Sequence, residues 1–151
     1  MLKYLGVGKI INSKITQIDH IGIAVRDMNK AINSYEQLFS LKVEQIEVNE
    51  EFKVKICFIP LGEVLVEFLE PTEKGSPFDL FIEANGESVH HIAYRVNDID
   101  AALRDLKNKG IKLQHEEARP GGAGSRIAFL DPVEANGVAV ELVERKDLHQ
   151  D

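Results

Sequence analysis

The chain repeats itself, and that repeat limits its fold more than any other feature. Asp19-His20-Ile21-Gly22-Ile23-Ala24-Val25-Arg26-Asp27-Met28 lies over His90-His91-Ile92-Ala93-Tyr94-Arg95-Val96-Asn97-Asp98-Ile99, with the second His, the Ile after it, the Val and the Asp in matching places. Further along, Ala31-Ile32 and Tyr35 lie over Ala102-Leu103 and Leu106. At a slightly longer offset, Val66-Glu67-Phe68-Leu69-Glu70 lies over Val140-Glu141-Leu142-Val143-Glu144. Matches at both ends of a segment, in the same order, point to a duplicated unit of about 60 residues.

Each copy reads the same way locally. An apolar, β-branched run follows His20. Asp27 then stands at an N-cap position, ahead of Met28, Ala31, Ile32, Tyr35, Leu38 and Phe39 at the spacing of one helical face. In the second copy Asp98 precedes Ile99, Ala102, Leu103 and Leu106, and Gly110 closes the helix. Short apolar runs broken by Leu61-Gly62, Gly121-Gly122, Asp131-Pro132 and Asn136-Gly137 predict about three strands after each helix. Between the copies, Ser76-Pro77-Phe78 starts a short helix that Asn85-Gly86 ends. The expected organisation is a leader arm over residues 1–14, one domain over 15–145 and a tail over 146–151. Within the domain, module one covers about 15–73, the connecting helix 76–86 and module two 88–145. The fold class is α+β, with the two modules forming one mixed sheet.

Composition narrows the function classes. The 151 residues carry 18 basic and 25 acidic side chains, a formal charge of −7, which argues against a nucleic-acid or anionic-membrane surface. Any anionic ligand must find a local basic spot. The single cysteine, Cys57, cannot build an internal disulfide framework, so a reducing, cytoplasmic setting is expected. No run approaches the roughly 20 apolar residues of a membrane span, and the opening stretch lacks the long apolar core and cleavage site of a signal peptide.

Four polar residues stand in apolar strands. Alternation puts His20, Gly22 and Ala24 on one face, and His91, Ala93 and Arg95 on the equivalent face of the second copy. Glu67 and Glu141 each sit within runs that are apolar on both faces, where an ionised carboxylate is costly unless paired or bound to a cation. One such Glu by itself reads as a salt bridge or an edge position, and one such His as a hydrogen-bonded structural residue. As a mirrored set, two imidazoles and two carboxylates fit a divalent cation, and their two negative charges cancel it. Mixed nitrogen and oxygen donors suit Zn, Co, Mn, Fe or Ni better than Ca or Mg. By alternation His90 faces away from His91 and reads as structural or supporting. His115 and His149, in polar surroundings, are not expected to be ligands. Glu70 and Glu144 are expected to face solvent.

Together these motifs resemble the vicinal oxygen chelate superfamily, built from paired βαβββ modules that curve one sheet around a metal site. The motifs are Asp19-His20-Ile21-Gly22-Ile23-Ala24-Val25, Val66-Glu67-Phe68-Leu69-Glu70-Pro71, Ser76-Pro77, His90-His91-Ile92-Ala93, Phe129-Leu130-Asp131-Pro132 and Gly137-Val138-Ala139-Val140-Glu141-Leu142. Within the superfamily the chain is most similar to the methylmalonyl-CoA epimerase family, over roughly Ile15 to Glu144. The resemblance implies one divalent metal ion (Co, Zn, Mn or Ni) held by His20, Glu67, His91 and Glu141. It implies interconversion of the C2 epimers of methylmalonyl-CoA through a metal-stabilised enolate, with Glu141 as a base. A second base of the family aligns with Lys55, a departure that makes Lys55 an expected proton donor or substrate-binding residue. Arg119 and Arg126, flanking the glycine loop 121–124, are expected to meet anionic parts of an acyl-CoA substrate; the loop lacks the ending of a nucleotide-binding P-loop and is expected to close one side of the pocket. A homodimer is expected. The alternatives are a glyoxalase I type lactoylglutathione lyase and a non-catalytic drug-binding protein of the same fold.

Overall fold

The computed structural model describes residues 15–43 and 45–146. The expected leader arm, the tail from residue 147 and His149 lie outside the described residues. Eight strands form one curled, mixed sheet in the order β2-β3-β4-β1-β5-β8-β7-β6. Module one contributes β1 (Ile15–Ala24), α1 (Met28–Phe39), β2 (Gln45–Asn49), β3 (Val54–Leu61) and β4 (Val64–Pro71). The connecting helix α2 (Pro77–Asn85) follows. Module two contributes β5 (Ser88–Val96), α3 (Ile99–Asn108), β6 (Arg119–Pro120), β7 (Arg126–Phe129) and β8 (Ala139–Glu144). Its β6 spans only two residues, so the third strand expected in this copy is little more than a bridge to β7.

The duplication reappears in the register. β1 runs parallel to β4 and β5 parallel to β8, each strand beside the one that carries its module's glutamate. β1 and β5 pair antiparallel at the centre and join the halves. Alternation then sorts the side chains. On the outer face Met28 and Ile32 of α1 pack with Val25, Cys57, Ile59, Val66 and Phe68. Ile99, Ala102 and Leu103 of α3 pack with Val96, Ala128 and Leu142. Burying such side chains contributes about 25 cal/mol per Å² of apolar area, which fixes which way each strand faces. The concave face holds Val54, Ile56, Phe58 and Leu69, which meet Phe78 of α2, and Ala93, Ile127, Phe129 and Val143.

Both long helices start alike. Asp27 accepts from Lys30 N–H and Asp98 from Ala101 N–H. Glu70 and Glu144, expected to face solvent, are only partly exposed: Glu70 accepts from Met28 N–H at 2.6 Å and Glu144 from Ile99 N–H at 2.9 Å. Each carboxylate thus fills the first free amide of the helix packed over its own strand, where the helix dipole favours negative charge.

Candidate metal centre

His20, Gly22 and Glu67 face the concave side from β1 and β4, and His91 and Glu141 face it from β5 and β8. All four polar side chains are buried: His20 is 3% exposed, Glu67 5%, His91 2% and Glu141 4%. His20 Nε2 lies 2.9 Å from His91 Nε2, 3.3 Å from Glu67 Oε2 and 3.2 Å from Glu141 Oε1. His91 Nε2 is 3.5 Å from Glu141 Oε2. Donor atoms of His20, Glu67 and His91 all fall within 4.8 Å of one another. The register makes this possible only because residue 22 is glycine: Gly22 sits opposite His91, and a Cβ there would come within 2.3 Å of the ring.

Asp19 and Arg145, which the sequence reading left out, support His20. Asp19 is wholly buried and accepts from His20 Nδ1 at 2.6 Å. It also takes Arg95 Nε at 2.9 Å, and Arg145 through Nε at 2.8 Å and Nη2 at 2.7 Å. Strict alternation would aim Asp19 away from its neighbour, but the β1–β5 register slips between Ile18 and His20 and leaves Asp19 as the extra residue. The same device recurs in module two. The register slips again around His90, and its Nδ1 comes to 2.9 Å from His91 Nδ1, with Phe78 and Phe81 against its ring. His90 therefore faces the site side, contrary to simple alternation. An acid or imidazole immediately before each mirrored histidine was the available signal. Arg145, just past β8, gives no periodic signal at all.

The electrostatics show what the cluster lacks. Burial works against charge on His20, but Glu67, the Asp19 hydrogen bond and Glu141 outweigh it and push this imidazole up to about 10. Burial pushes Glu67 up to about 7, with His20 opposing and Glu141 adding to the rise. Burial, then His20 and His90, hold His91 well below its ordinary range. For Asp19, burial is outweighed by His20 and Arg145, which keep its carboxyl well below the usual carboxylate range. A proton on His20 thus supplies the positive charge that two buried carboxylates demand. A divalent cation among these two nitrogens and two carboxylates would supply the same charge through a donor set that suits it, so the residues fit the metal that the fold implies.

The other expected site residues lie elsewhere. Lys55 pairs across β4 with Glu70, and its strand presents Val54, Ile56 and Phe58 to the concave side. Lys55 thus shares the outer face with Cys57 and Ile59, away from the donors, because one step along a strand reverses the side chain. Arg126 also points outward, held by both oxygens of Asp100 on α3. Arg119 lines the rim of a second cavity and is ion-paired with Glu51. His115 has Glu51 and Arg119 nearby, as its polar surroundings implied, and also packs on Phe52 and Phe129 and accepts from Phe129 N–H through Nδ1 at 3.1 Å. The glycine loop does close one side, since Gly121, Gly122 and Ser125 line the small space at the donors. Arg145 Nη1 reaches Gly122 O at 3.4 Å, and Glu47 accepts from Ala123 N–H at 2.7 Å.

Beside the donors is a space of about 30 Å³, and next to it a cavity of about 520 Å³. Phe52, Phe78 and Phe129 wall both. Among the described residues no helix is long and apolar enough to cross a membrane.

Comparison with known proteins bears on this geometry. The family model of the Glyoxalase/Bleomycin resistance protein/Dioxygenase superfamily matches residues 19–129. An ethylmalonyl-CoA/methylmalonyl-CoA epimerase of Cereibacter sphaeroides is 35% identical over 130 residues, covering 85% of this chain and 97% of that protein. A solved structure of methylmalonyl-CoA epimerase in complex with methylmalonyl-CoA and NH4+ superposes with a TM-score of 0.85 at 37% identity, covering 89% of this chain and 97% of that one. A probable lactoylglutathione lyase of Vibrio cholerae is more distant, 29% identical over 135 residues, with 88% of this chain and 94% of that protein covered.

Proposed function

The chain belongs to the Glyoxalase/Bleomycin resistance protein/Dioxygenase superfamily, and from that premise we propose that it is an isomerase that interconverts the C2 epimers of methylmalonyl-CoA. The observation that carries this reading is the buried set of two histidines and two glutamates beside an aromatic-walled cavity, in a chain over a third identical to an epimerase solved with that thioester. His20, Glu67, His91 and Glu141 would hold one divalent ion, Co, Zn, Mn or Ni. When bound, such an ion supplies Lewis-acid stabilisation for negative charge that develops on substrate oxygens.

The chain's own groups supply the rest. Glu141 pairs across β7 with Phe129, the wall shared by the two cavities, so it stands where a reacting carbon entering from the larger cavity arrives. Glu67 pairs with Phe58 on the other side and lies 3.8 Å from Arg145. Glu141 is accordingly the carboxylate that takes the C2 proton. Asp19 orients His20, and the phenylalanine walls exclude water, which makes every charge in the site count for more. The inward positions of β3 are apolar, so the second proton transfer does not belong to that strand. The same reading makes the protein cytoplasmic and a homodimer, and the exposed Ile46 and Val48 on the edge strand β2 support pairing.

The test is proton exchange at C2. In deuterated water the metal-loaded protein incorporates deuterium into methylmalonyl-CoA and racemises it, chelation stops this, and metal return restores it. Turnover of a glutathione hemithioacetal without exchange on the CoA thioester would assign the site to lactoylglutathione chemistry instead.

A further inference from the structure

The cavity of about 520 Å³ beside the donors is within the size range of small-ligand sites, and among its aromatic walls stand the polar side chains of Glu51, Asn85, His90, Gln114, His115 and Arg119. Two of these are imidazoles, His90 and His115, which flank Phe129 with ring centroids 6.0 and 5.8 Å from it. Their hydrogen bonds decide which ring nitrogen of each faces outward with a proton.

The network starts at Asp19, whose carboxylate accepts from His20 Nδ1–H. His20 Nε2 and His91 Nε2 face each other at 2.9 Å, the two atoms that a shared cation would bind. A cation held at Nε2 of both rings would leave the His91 proton on Nδ1. His91 Nδ1–H would then donate to His90 Nδ1, 2.9 Å away, leaving His90 protonated on Nε2. For His115 the backbone decides, since Nδ1 accepts from Phe129 N–H at 3.1 Å and Nε2 must carry the hydrogen. Both rings thus offer one N–H donor and no acceptor to the ligand. The charged pair at the rim, Glu51 and Arg119, is engaged with itself. A cavity with neutral donors, aromatic walls and a self-paired cation suits uncharged carbonyl oxygens strung on methylenes rather than a free carboxylate or phosphate.

We propose that His90 and His115 bind the amide arm of the acyl thioester in this cavity, each donating from Nε2 to an arm carbonyl, and so select long thioesters over short ones. The proposal rests on the thioester reading of the site.

The experiment compares methylmalonyl-CoA with the methylmalonyl thioester of ethanethiol, which has the same reacting carbon and no amides. Asn places its oxygen near the position of ring Nδ1 and carries nothing at Nε2. H90N and H115N therefore keep the inward hydrogen bonds and remove only the donors to the cavity. Each is expected to lower the ratio of kcat/KM for the CoA ester over the short ester about tenfold, through KM. H90Q, whose amide reaches the Nε2 position, is expected to recover most of that ratio. A ratio unchanged in folded H115N overturns the proposal, and that variant decides the matter if H90N disturbs His91, because His115 packs on Phe52 and Phe129 and not on the donors. Wild-type protein that turns over neither ester refutes the thioester reading itself, and the proposal falls with it.

Discussion

The two modules place their donors alike and surround them differently. Each contributes a histidine from its first strand and a glutamate from its last, and each uses a register slip to bring the preceding residue back onto Nδ1 of that histidine. In module one that residue is Asp19, tied to Arg95 and Arg145 and closed off from water. In module two it is His90, uncharged by burial and open to the larger cavity. Duplication preserved the positions that a central ion requires. The groups one step back diverged, so that one half carries a buried carboxylate paired with two arginines and the other an imidazole that lines the larger cavity.

If that division is right, the two glutamates are not equivalent. Removing the charge and basicity of Glu141 with E141Q is expected to lower C2 deuterium exchange by about 10³-fold, the usual scale for a general base. E67Q, on the Arg145 side, is expected to lose about tenfold, mainly through weaker metal retention. Equal losses in the two variants would erase the proposed difference between the halves.

The supporting groups respond to acid in opposite order. Burial lowers His90 to about 4 from the ordinary 6.5. A group whose folded value is depressed contributes stability that is fully present above the unfolded value and lost as pH falls through the folded one. Metal-free protein should therefore lose up to about 3 kcal/mol through His90 between pH 6.5 and 4, with His91 adding to the loss. Asp19, also depressed, keeps its contribution across that window and loses it only below 3.8. Urea unfolding against pH checks this: H90N is expected to flatten the slope between pH 6.5 and 4, and D19N to leave that part of the curve and change the acid end.

Much of the frame was legible because repetition and alternation are period-based signals. The two helices, their Asp caps and the inward set of His20, Glu67, His91 and Glu141 follow from spacing alone. What was not legible depends on single-residue departures from period. The slips at Asp19 and His90 bring to the site two side chains that strict alternation aims elsewhere. Lys55 shows the reverse error, since the expected site role falls on an outward position of β3, between the inward Val54 and Ile56. Arg145 reaches Asp19 across 126 positions of chain, a pairing that no local pattern encodes.

Steric demands sharpen the contrast between modules. Gly22 and Ala93 occupy equivalent places, yet a Cβ at Gly22 would meet His91 Cε1 at 2.3 Å, while Ala93 is wholly buried with its methyl in place. G22A is expected to cost about 2 kcal/mol, as overpacking does, and to weaken metal retention by moving the ring. A93G is expected to cost about 1 kcal/mol through backbone freedom without changing metal stoichiometry. Thermal melts paired with elemental analysis separate the two effects.

The smallest effects should be those in which the modules agree. Glu70 and Glu144 accept from the first amide of α1 and α3, while Asp27 and Asp98 accept from the third. Each helix start thus has two of its free amides filled from the same two places. Truncating either glutamate to Ala is expected to cost about 1 kcal/mol, the scale of a lost cap with its dipole interaction. Glu144 also lies 3.6 Å from Arg126, but that partly exposed pair adds only a few tenths. The double variant should lose the sum, because the two helices share no partner. Unequal losses, with one near zero, would mean that one helix start is held by packing alone, and that the halves diverged in their scaffold as well as around the donors.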